Sequence, residues 1–155
     1  MSAIEHHEPP YHVSHRIAVL VSSVQDIQFI DAIGQENRGV ETGELCIFTS
    51  GVVIYATWKS PEFELRLNGS SGVQVRAWPR RALASVQIDA DAEEKTNIDG
   101  DWEASIGKGW PGTARVALRY FNQEAVVVLP LAQRRIAKGE HVMKFLPSLM
   151  DDLAA

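Results

Sequence analysis

Glu44-Leu45-Cys46-Ile47-Phe48-Thr49-Ser50-Gly51-Val52-Val53-Ile54-Tyr55-Ala56-Thr57-Trp58 is the stretch on which the fold turns. Leu45 to Thr49 and Val52 to Trp58 are short extended runs rich in β-branched and aromatic residues, as strands are. Ser50-Gly51 joins them, and glycine there can supply the positive φ that a tight hairpin demands. The pattern continues downstream. Phe63-Glu64-Leu65-Arg66-Leu67 alternates apolar and polar residues, Asn68 to Gly72 reads as a turn, and Val73 to Trp78 alternates again until Pro79 ends the strand or marks an edge. Leu83 to Ile88 is a fifth strand. Arg115 to Phe121 and Glu124 to Leu129 form a last hairpin turning at Asn122-Gln123.

Seven strands thus follow Glu44, interrupted by a long acidic loop over 89–112 that holds Trp102 and Trp110. A connection of that length in a compact domain is functional, flexible or hides an element. The chain ends on a helical stripe of Val142, Phe145, Leu146, Leu149, Met150 and Leu153. Pro147 inside it predicts a bend, or a restart of the helix with proline in its first turn.

Upstream the pattern is weaker. Residues 1 to 15 are polar, Pro-containing and His-rich, and read as a loose tail. The run Ile17-Ala18-Val19-Leu20-Val21 suits a buried strand, and Ser23 with Gly34 brackets a helix over about 24 to 33. Residues 1–40 are therefore expected to be a tail and extension, and 41–155 a single domain.

Seven strands followed by one amphipathic helix resemble the pleckstrin-homology-like superfold. Glu44 to Ile54 resembles the first hairpin of its bacterial members. Trp78-Pro79-Arg80-Arg81-Ala82-Leu83-Ala84-Ser85-Val86 is similar to their strand junction. The resemblance covers about residues 44 to 153. It implies a mainly β fold of α+β type, a seven-stranded antiparallel bent barrel closed by the C-terminal helix. Another small β-barrel or a β-sandwich is the competing architecture. The resemblance also implies a binding module for lipid head groups, peptides or proteins, and no enzyme. The family's lipid-binding members carry closely spaced basic residues around the first hairpin, whereas this one offers Ser50-Gly51.

The chain of 155 residues has a formal charge of −5, which disfavours phosphate-rich partners and argues against nucleic acid. Its single cysteine, Cys46, excludes an intrachain disulfide and sits in an apolar run, where a thiol packs as a small hydrophobe. No signal-peptide pattern and no membrane-length apolar run occur, so a cytoplasmic location is expected.

Candidate sites each have a bland counterpart. His6, His7, His12 and His15 crowd the first residues without fixed spacing or a cysteine partner, so a solvated tail is favoured over a metal site. The acidic loop suggests calcium, but with Gly100 in the sixth position of an EF-hand loop the first and twelfth fall on Lys95 and Ile106, neither a ligand. Trp102 and Trp110 are candidate partner contacts or loop packing. Arg76, Arg80 and Arg81 around Trp78 are candidate anion or partner contacts, as are Arg134, Arg135 and Lys138, or else simply solvated. No nucleophile motif, phosphate loop or cofactor signature is present.

The expected function is a non-catalytic interaction module that binds a protein or peptide through the 89–112 loop or an exposed edge strand. Peripheral binding to anionic lipid or phosphate groups through the arginines is the second expectation. A metal-dependent enzyme using the acidic loop is the third. A spare strand edge would also permit self-association.

Overall fold

The computed structural model describes residues 4–21, 23–61, 72–89, 115–132 and 136–154. The chain is mainly β, with two antiparallel sheets and a C-terminal helix. No closed barrel is formed among the described residues. The chain divides into two compact units, Met1–Ala82 and Leu83–Ala154.

The first unit holds β1 (Ile4–His6), α1 (Tyr11–Leu20), a 3₁₀ turn at Val24–Asp26, β2 (Phe29–Asn37), β3 (Val40–Phe48), β4 (Val52–Pro61), β5 (Val73–Pro79) and a 3₁₀ turn at Arg80–Ala82. The five strands lie in chain order, each antiparallel to the next. The hairpin expected around Ser50-Gly51 is present, with Phe48 opposite Val53 and Leu45 opposite Ala56. Gly51, however, does not take a positive φ. Thr49 closes the turn instead: its N–H donates to the Val52 carbonyl, and its Oγ1 accepts from the Val52 N–H at 3.1 Å.

Three expectations upstream are corrected. The helix over about 24 to 33 is a short 3₁₀ turn followed by β2, whose nine residues pair with β3 from Phe29↔Phe48 to Asn37↔Val40. A continuous ladder on a central strand outweighs a local helix signal. The joining turn, Arg38-Gly39, has φ of 52° and 78°, the backbone a two-residue primed hairpin requires. The run from Ile17 expected as a strand instead ends α1 at Leu20, with Val21 just beyond it, because Val13 and Ile17, four apart, face the core together. The loose tail is not loose: β1 pairs with Gly34 to Glu36 of β2, and His7 Nδ1 donates to the Ala32 carbonyl at 3.1 Å. Residues before 40 thus enter the core of this unit through Val13, Ile17 and Ala32.

Cross-strand partners share a sheet face. One face carries Ala32, Leu45, Ile47, Ile54, Ala56 and Trp58, and α1 packs there with Val13 and Ile17. The other carries Phe29, Phe48, Val53 and Trp78 in one row and Asp31, Cys46, Tyr55 and Arg76 in the next.

The second unit holds β6 (Leu83–Asp89), β7 (Arg115–Tyr120), β8 (Val126–Leu129) and α2 (Ile136–Ala154). A bulge between Leu83 and Ser85 interrupts the β6–β7 ladder, and Asn122, with φ 64°, turns the β7–β8 hairpin. The hairpin and terminal helix expected from the sequence are therefore present. Helix α2 packs on β6 and continues through Pro147. Val142 and Leu149 of the expected stripe are buried, whereas Met150 and Leu153 are exposed. The expected strand Phe63–Leu67 and almost all of the 89–112 loop lie outside the described residues.

Candidate functional site

The arginine group does not stand together on the surface. Arg80 is 3% exposed. Its Nη1 donates to Gln28 Oε1 at 2.8 Å and to the Thr49 carbonyl at 2.9 Å, and its guanidinium carbon lies 5.7 Å from the centre of the Phe48 ring. A planar cation with several fixed donors and an aromatic face beneath it is committed to holding the β3–β4 turn against the segment before β2. Trp78 is buried, its ring 6.2 Å from that of Tyr55. Arg76 is exposed and donates from Nη2 to Gln74 Oε1 at 3.0 Å, while Arg81 is exposed. Trp102, Trp110, Arg134 and Arg135 lie outside the described residues. Among the described residues, no three His, Cys, Asp or Glu come together as a metal site would need.

Beside Arg76, the row Asp31, Cys46, Tyr55 runs across three strands. Tyr55 Oη donates to Glu44 Oε2 at 3.0 Å. Burial, then the nearby charge of Glu44, pushes the Tyr55 phenol well above its ordinary value, with Arg76 opposing. Burial, then Asp31 and Glu44, pushes the Cys46 thiol up as well. A neutral, wholly buried thiol is no nucleophile. This row is structural.

The opposite face of the sheet is different. A cavity of about 270 Å³ opens between α1 and the β2–β3 hairpin. Ser14, Ile17 and Ala18 of α1 form one wall, and Ile30, Leu45 and Ile47 form the sheet side. Its origin is in the sequence: on the flank of α1 next to Val13 and Ile17 the helix presents Ser14 and Ala18, four apart. Side chains that small leave space over Leu45 and Ile47 that a leucine would fill. Ile30 is 43% exposed although it belongs to the wall, so the cavity is open to solvent. Val21 and Ile27 extend the apolar lining where the chain turns from helix to sheet. Among the described residues that line it, Ser14 alone has a polar side chain, so this lining offers dispersion and dehydration and almost no hydrogen bonding.

None of these residues stood out in the sequence as a site. The available signal was the pair Ser14 and Ala18 flanking the pair Val13 and Ile17, which becomes visible only once residues 11–20 are read as a helix.

Comparison with protein-family models, curated proteins and solved structures finds no match for this chain.

No helix among the described residues is long and apolar enough to cross a membrane.

Proposed function

We propose that the first unit is a non-catalytic interaction module that takes up an apolar side chain of a protein or peptide partner in the cavity beside α1. The observation that carries this reading is the cavity's combination of size and lining. About 270 Å³ falls below the roughly 300–1,000 Å³ of small-molecule and cofactor sites, but it suits one bulky aliphatic or aromatic side chain. Such an anchor, buried in a pocket and ringed by near-neutral contacts, is how protein interfaces concentrate their binding energy. The exposed flank of Ile30 and Ala18 then meets the backbone around the anchor.

The resemblance of residues 44 to 153 to the pleckstrin-homology-like superfold, whose members bind rather than catalyse, favours the same class of activity. A bent barrel closed by α2 is the architecture that likeness would give. Anionic-lipid binding is less supported, because Arg80 is committed inside the first unit.

Selection from a random peptide library displayed on phage tests the proposal. Selected peptides should share one large apolar residue, and Ile30→Asp, which places a charge at the cavity wall, should weaken them at least tenfold while the fold is retained. Peptides that bind Ile30→Asp as tightly as the parent, or a selection that yields no binder, would overturn it.

A further inference from the structure

We infer that the outer edge of β5 is a contact between two copies of this chain, pairing antiparallel about Val75. Strand β5 is the last in its sheet, and among the described residues nothing pairs with its outer side. The Lys59 N–H donates to the Gly72 carbonyl and the Arg80 N–H to the Gly51 carbonyl. The even-numbered residues of β5 therefore turn toward β4, and the N–H and C=O groups of Val73, Val75 and Ala77 point outward. Unpaired donors and acceptors in a row are a template for another strand.

The sequence of β5 is self-complementary when centred on Val75. With Val75 opposite the partner's Val75, Val73 meets the partner's Ala77, and each of these pairs exchanges both backbone hydrogen bonds. Moving the centre to Ala77 would set Val75 against the partner's Pro79, which has no N–H to give. Moving it to Val73 would run the ladder off the start of β5.

The same register places Arg76 opposite the partner's Gln74. Arg76 already donates to Gln74 Oε1 within its own chain, so the exposed pair matches donor to acceptor again across the two-fold axis. No like charges face each other, which is the condition a self-pairing edge must meet. A two-fold axis perpendicular to the sheet also keeps α1 of both copies on one side, giving a continuous sheet across the pair. This contact is independent of the cavity beside α1.

Sedimentation velocity of the full chain over a wide concentration series tests the inference. A reversible monomer–dimer equilibrium is expected. Gln74→Arg sets arginine against Arg76 at both ends of the ladder and should raise the dimer dissociation constant roughly tenfold. Adding Arg76→Glu makes each opposed pair attractive and should restore dimerisation. Both positions are exposed, and circular dichroism checks that the fold is kept. A chain that stays monomeric at every concentration, or a dimer indifferent to Gln74→Arg, would overturn it. So would a monomer whose β5 edge binds an acidic peptide.

Discussion

Trp58 lies over Gly43, its cross-strand partner, so closely that a β-carbon at position 43 would overlap the indole ring. The same indole donates from Nε1 to Glu41 Oε1, two residues along β3, at 3.3 Å. Gly43 thus gives the largest side chain of the first core its place, and the buried Glu41 carboxylate fixes its orientation.

Gly43→Ala should accordingly destabilise the protein by about 1–3 kcal/mol, because the methyl group must displace a packed indole and also approaches the Ile33 carbonyl. Urea unfolding followed by tryptophan fluorescence reads this directly. An unchanged midpoint would mean that Trp58 is free to move.

Arg80 and Arg81 are neighbours with opposite expectations. Arg80→Ala removes a buried cation from Gln28 and Thr49 and should cost about 3 kcal/mol. Arg81→Ala, at an exposed position, should stay within about 0.5 kcal/mol. Equal effects in chemical denaturation would contradict the role assigned to Arg80.

Alkaline pH should weaken the fold. Cys46 and Tyr55 are acids whose folded pKa values lie above ordinary values of 9.0 and 10.0. Their contribution is complete below those ordinary values. It is lost as pH rises through them, since the unfolded chain then releases protons that the folded chain keeps. The urea midpoint should therefore fall first above about pH 9 through Cys46 and then above about pH 10 through Tyr55. Cys46→Ala should abolish the earlier part of the decline, and a parent midpoint flat across this range would contradict the burial of both groups.

Among the described residues, the strands and the helix after Glu44 were legible because their signals are local. Alternation in Val73 to Trp78 and the stripe through Val142 and Leu149 each fix an element without reference to distant residues. Before Glu44 the deciding interactions are long-range: β2 is a strand because β3 pairs with it, and α1 is held through Val13 and Ile17 on the sheet. The candidate site was hidden for the same reason. A cavity is a property of what Ser14 and Ala18 fail to fill, and no motif records missing volume. Arg80 looked like a surface cation because its partners, Gln28 and Thr49, are far away in sequence.

Ala18→Leu should fill the cavity. Added apolar contact in existing space is expected to leave stability unchanged or raise it by about 0.5–2 kcal/mol, while affinity for selected peptides falls. Thermal unfolding and fluorescence polarisation separate the two effects. A loss of stability without loss of binding would place the partner elsewhere.

The most direct measurement is a methyl NMR titration of isoleucine-labelled protein with the tightest selected peptide and with the version whose apolar anchor is replaced by alanine. If the cavity beside α1 takes up the anchor, the methyl groups of Ile17, Ile30 and Ile47 shift with the first peptide and not with the second. Shifts confined to Ile54, Ile88 or other isoleucines away from the cavity, or equal shifts with both peptides, would contradict it.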